Sequence, residues 1–160
     1  MDIKECLNLR EKMAKNRELG KSIIKTISII DYTEIPLLEL SAGYRCNGKI
    51  NETFFPKNIR KITKVVIFNF GNVFSWEATE RMASLGFVPA NIYEALVGIN
   101  KLRGELHGMF FISGSPLDPE EVFTTFPMIK INGERIITLN VDLKTEERFF
   151  VGVEIIKEAE

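Results

Sequence analysis

The sequence is poor in the residues from which most active sites are built. Of 160 residues, one is His, one is Trp and two are Cys. With His107 alone, a metal site would need all its other ligands from carboxylates or thiols. No His-x-x-x-His or Cys-x-x-Cys spacing brings such ligands together. Cys6 and Cys46 stand too far apart in the chain to form a zinc or dithiol motif, so both read as structural or incidental thiols. No run approaches the roughly 18 to 20 apolar residues that cross a bilayer, and the first residues, Met1-Asp2-Ile3-Lys4-Glu5, carry charge where a secretory leader is apolar. These features predict a cytoplasmic chain with no membrane association. Glycine-rich phosphate loops are missing as well. Gly71-Asn72 follows an apolar run but continues into neither Gly-x-Gly-x-x-Gly nor a Lys-Ser/Thr ending. No cofactor, metal or catalytic group is therefore expected.

What the chain has is phenylalanine, 12 residues of it, within a composition that is 45% hydrophobic and 27% charged. Phe buries large area with no polar atom to satisfy, which suits a packed sheet. At this length one domain, 1–160, is the expectation. The net charge of −1 conceals an asymmetry: residues 1–64 hold 13 Lys and Arg against 8 Asp and Glu, whereas 65–160 hold 8 against 14. If the chain divides into subregions, the break falls at Pro56–Lys64, separating 1–64 from 65–156.

Asp2 caps a predicted helix that runs to about Leu19 and stops at Gly20. Residues 22–30 are rich in β-branched side chains and read as a strand. From Ile35 to Phe55, apolar runs broken by Pro36, Gly43 and Pro56 read as two strands joined by a hairpin turn at Asn47-Gly48. Val65-Val66-Ile67-Phe68-Asn69-Phe70 reads as a buried strand. Two short helices follow, about 76–85 and 92–103. Ser75 is the expected N-cap of the first, with Trp76 docking it onto a sheet. Asn91 with Glu94 three residues on has the spacing of a capping box for the second. Met109–Ile112, Met128–Ile131, Ile136–Leu143 and Arg148–Ile156 read as strands, with Asn132-Gly133 a hairpin turn and residues 144–147 a longer one. Asp118 is expected to cap a single helical turn through Phe123, and the last six or so residues to fray. The fold class is α+β: an N-terminal helix, then a helix pair packed on a mostly antiparallel sheet.

The run from Phe74 through Trp76, Gly86, Pro89-Ala90 and Asn91 to Leu96 resembles the two-helix opening of C-type-lectin-like and formylglycine-generating-enzyme-like domains. In those a Trp begins one helix, Gly ends it and an acidic helix start follows. The run is also similar to a group of short bacterial proteins with Gly-x-x-Pro-Ala before a Glu-Leu-rich helix. Arg148-Phe149-Phe150-Val151-Gly152-Val153 is similar to the closing strand of such domains. The resemblance spans residues 74–156 and implies architecture, making 65–156 a C-type-lectin-like subregion. It implies neither sugar binding, calcium nor oxidase activity, because the Glu-Pro-Asn calcium motif, the lectin disulfides and the paired active-site cysteines have no counterpart here.

Three functions fit this reading. The first is a noncatalytic module binding an unknown protein or small ligand. In it the loop Ser113–Phe126 and the turn at His107 form a variable face, with Arg103, His107, Ser113 and Asp118 as ligand-binding residues. The second is a nucleic-acid-associated protein using Lys57, Arg60, Lys61 and Lys64. The third is an enzyme acting on a small substrate through His107. The adjacent carboxylates Glu120-Glu121 and Glu146-Glu147 read as solvated turns.

Overall fold

The computed structural model describes residues 2–29, 35–58, 60–102, 104–117, 124–142 and 147–156. Its elements run α1 (Ile3–Gly20), β1 (Ile23–Ser28), α2 (Leu37–Leu40), β2 (Arg45–Cys46), β3 (Ile62–Phe68) and α3 (Ser75–Ser84). They continue with β4 (Val88–Pro89), α4 (Ile92–Asn100), β5 (Gly108–Phe111), β6 (Thr125–Asn132), β7 (Glu134–Val141) and β8 (Phe149–Ile155). Helices and strands mix in one α+β arrangement. No helix among the described residues is long and apolar enough to cross a membrane.

The sheet is mixed, in the order β1-β3-β8-β5-β6-β7-β2. β1–β3, β3–β8, β5–β6 and β6–β7 are antiparallel, while β5–β8 and β2–β7 are parallel. The chain's last strand therefore lies inside the sheet. One edge of β8 pairs with β3; the other is shared, Phe149 and Phe150 pairing with β5 and Gly152 and Val153 with β4. This central position explains why Phe150, Val151 and Val153 are wholly buried, since a strand flanked on both edges and covered on both faces reads as continuously apolar. Strands from both sides of residue 64 share this sheet.

The two short helices do not lie side by side on one face. On one face, Ile92, Ala95, Leu96 and Ile99 of α4 join Leu37 and Leu40 of α2 against Val65, Ile67, Ile129, Ile137, Val151 and Val153. On the other, Ala78 and Met82 of α3 close over Val66, Phe68, Phe111, Met128 and Phe150. β4 carries the chain from one layer to the other in the plane of the sheet. Strand alternation produces the division, because odd and even residues of β3 and β8 point to opposite sides. α4 comes so close to β3 that a Cβ at Gly98 would stand 2.6 Å from Val65 Cγ1.

Several local expectations are met. Asp2 Oδ1 accepts from the Glu5 amide at 2.8 Å. Asn91 Oδ1 accepts from the Glu94 amide at 2.9 Å while a Glu94 carboxylate oxygen accepts from the Asn91 amide at 3.0 Å, a reciprocal cap. Asn132-Gly133 turns β6 into β7, with Gly133 at φ 73°, a conformation that costs glycine little. Phe110 and Phe111 are core residues.

Other expectations are corrected. The hairpin at Asn47-Gly48 does not form. Asn47 Oδ1 instead accepts from the Lys49 amide and Asn51 Oδ1 from those of Thr53 and Phe54. These side-chain-to-backbone bonds wind the segment into successive turns rather than a return strand. Upstream, Pro36 precedes the one-turn helix α2, and β2 is only two residues long. α4 ends at Asn100 rather than 103. Ser75 is the first helical residue of α3, not its cap. Trp76 is 60% exposed, and the packing expected of it is supplied by Ala78 and Met82. The turn proposed for Asp118–Phe123, most of the 144–147 turn and the last four residues lie outside the described residues.

Candidate functional sites

The sequence nominated a face uniting His107, Ser113, Arg103 and Asp118. His107 immediately precedes the four-residue strand β5 and Ser113 lies two residues past its end, so the strand runs between them. His107 is exposed. Ser113 Oγ is buried without a hydrogen-bond partner among the described residues. Two residues on, Ser115 Oγ accepts from the Ile92 amide at 2.9 Å, making this loop part of the start of α4. Arg103 and Asp118 lie outside the described residues. No group of three His, Cys, Asp or Glu positioned for a metal occurs among the described residues.

The basic segment is largely engaged. Arg60 Nε donates to Glu94 at 3.1 Å, its Nη2 meets the second Glu94 oxygen, and Nη2 also donates to the Pro89 carbonyl at 3.1 Å. Glu94 is fully buried, so this guanidinium offsets the cost of taking a carboxylate out of water. Lys57 pairs with Glu52 at 3.6 Å and Lys64 with Glu154 at 3.8 Å. Lys61 is exposed.

α2 forms a surface the sequence did not reveal. Leu37 and Leu40, one turn apart, drop into the core, and Leu38 between them is 86% exposed. Two clefts flank this ridge. One, about 300 Å³, has Ile35, Leu40 and Val97 as its floor and Glu39 and Lys101 at its rim. The other, about 420 Å³, lies between Pro36, Leu38 and Ile50. Phe54, in the turn after Glu52, adds another half-exposed apolar side chain. The ridge is anchored: Tyr44 Oη donates to Asn100 Oδ1 at 2.7 Å and Asn100 Nδ2 to the Leu40 carbonyl at 2.9 Å, tying α2 to α4. The spacing of Leu37 and Leu40 after a proline was the available signal, overshadowed by the turn chemistry around Asn47. Nearby, burial pushes the Cys46 thiol above its ordinary pKa, with a hydrogen bond to Ser41 pulling the other way.

A further cluster holds the start of α3. Asp142, just past β7, accepts from the Ser75 amide at 3.1 and 3.0 Å and from Ser75 Oγ at 2.7 Å. The negative charge that suits a helix N-terminus thus comes from 67 residues away. Arg148, 2% exposed, donates through Nη2 to Asp142 and to the Val73 carbonyl. Its guanidinium carbon stands 4.1 Å over the Phe111 ring and 5.0 Å from that of Phe150. With its amide and hydroxyl already bonded, this helix start is a structural clasp.

No protein-family model, curated protein or solved structure matches the chain.

Proposed function

We propose that the chain is a noncatalytic interaction module that holds an apolar segment of a partner protein across the α2 ridge. The exposure of Leu38 carries this reading. A leucine 86% open to water, on a helix whose other leucines are buried and whose C-terminal end is bonded to α4, is a pre-formed knob at the edge of the cleft it lines with Pro36 and Ile50, and a second cleft opens on the other side of the helix at Leu40 and Val97. Partner side chains of leucine or phenylalanine size fit those recesses, and the fixed ridge lowers the ordering cost of binding. The basic segment supports nucleic-acid association less, since Lys57, Arg60 and Lys64 already face carboxylates. No activity is proposed from the resemblance of residues 74–156 to lectin-like domains.

The test is peptide-library selection on the immobilised chain, repeated with Leu38→Asp. Selected peptides should be rich in large apolar residues and should lose binding to the variant, whose thermal stability stays within about 0.5 kcal/mol of the parent because the site is exposed. Selected peptides that bind both forms equally would remove the ridge as the interaction surface.

A further inference from the structure

We infer that the solvent face at the start of α3 is a second docking surface, centred on Trp76, that takes a cationic segment of a partner protein. It lies on the opposite face of the sheet from α2, and the inference does not rest on the α2 reading.

The burial of α3 is completed by Ala78 and Met82, so Trp76, 60% exposed, contributes little to holding the helix down. The mount is nonetheless rigid: Arg148 bonds Val73 and Asp142, and Asp142 bonds Ser75, the residue before the indole. A large aromatic presented on an immobilised turn binds with little loss of conformational freedom, and Trp is among the residues that dominate interface energies.

Charge decides the class of partner. Glu80, exposed, lies one helical turn beyond Trp76 on the same side, whereas Glu77 accepts from the Phe74 amide and Asp142 is paired with Arg148. The described cations of this region are turned inward. Arg81 Nη1 donates to the Phe70 carbonyl at 3.1 Å with its guanidinium 5.9 Å from the Phe70 ring, and Arg148 is buried. The exposed carboxylate on the indole's side of the helix is thus that of Glu80. An Arg or Lys of the partner can stack on the indole face while bonding Glu80, combining cation–π attraction with a charge-assisted hydrogen bond. An anionic segment would meet repulsion at the same place.

Trp76 is the only Trp, so fluorescence of the intact chain reports on this surface. The experiment titrates the chain at low salt with a peptide of alternating Arg and Gly and, separately, with a Glu–Gly peptide of equal length. The Arg peptide should change the emission saturably and the Glu peptide should not. Trp76→Ala, followed by calorimetry, should weaken Arg-peptide binding about thirtyfold. Glu80→Gln should weaken it about threefold or more, and Leu38→Asp should leave it unchanged. Equal response to both peptides, undiminished affinity in Glu80→Gln, or no saturable response to the Arg peptide would each overturn the inference.

Discussion

Replacing Arg148 with alanine removes a side chain that touches the start of α3, the end of β7 and the aromatic layer of the sheet together. The guanidinium is 2% exposed, donates to Val73 and Asp142, and lies 4.1 Å over Phe111. Breaking a buried pair by deleting one partner costs about 3–5 kcal/mol, mainly because the other charge is left uncompensated. Here Asp142 keeps its bonds to Ser75 and has 21% of its side chain in water, which places Arg148→Ala at the lower end, about 3 kcal/mol. For a domain of this size that is a fall of roughly 6–12 °C in melting temperature. Urea unfolding followed by far-ultraviolet circular dichroism measures it, and a cycle with Asp142→Ala should give a coupling of about 1–2 kcal/mol. A loss under about 1 kcal/mol, typical of exposed ion pairs, would refute the claim that Arg148 clasps the helix.

Other consequences follow from the same contacts. Trp76→Ala should change stability by less than about 0.5 kcal/mol, and iodide should quench the native fluorescence readily; a large loss would mean the indole is packed after all. Gly98→Ala should cost about 1–3 kcal/mol in urea unfolding, since the added methyl meets Val65 Cγ1 at 2.6 Å. Asn91→Ala should cost about 1 kcal/mol by loss of the cap, and Glu94→Ala about 3 kcal/mol because it strands the Arg60 charge. In a Cys6→Ser background, alkylation of Cys46 should reach its half-maximal rate above the pH of an ordinary thiol, as burial disfavours the thiolate. Ser41→Ala should move that midpoint higher still, because the Ser41 hydrogen bond favours the thiolate.

The legible parts of the chain were those whose partners lie a few residues apart. Asn91 reads as a cap because Glu94 is three positions on, and Asn132-Gly133 reads as a turn because the flanking runs can pair at once. Asn47-Gly48 carries an equally good turn signal, yet no strand returns after it; the amides that follow are satisfied by Asn47 and Asn51 side chains. Trp76 illustrates the other limit. Its position at the head of an amphipathic helix suggested docking, but whether an indole at the first turn faces the sheet depends on where the helix is pinned. Asp142 and Arg148 pin it so that Ala78 and Met82 turn inward. The candidate surfaces were hidden for the same reason: an exposed Leu38 becomes a feature only when Leu37 and Leu40 are seen to be buried.

The amino-acid order alone determined the class of fold, the presence of its main strands, two of its helix starts and the β6–β7 hairpin, because hydrogen bonds and side-chain alternation within a few residues specify these. Only the tertiary structure decided that β8 lies inside the sheet, that α3 and α4 cover opposite faces, and that a carboxylate 67 residues away caps α3. Those outcomes depend on which strand edges and apolar faces meet, a competition among distant segments that local spacing does not encode.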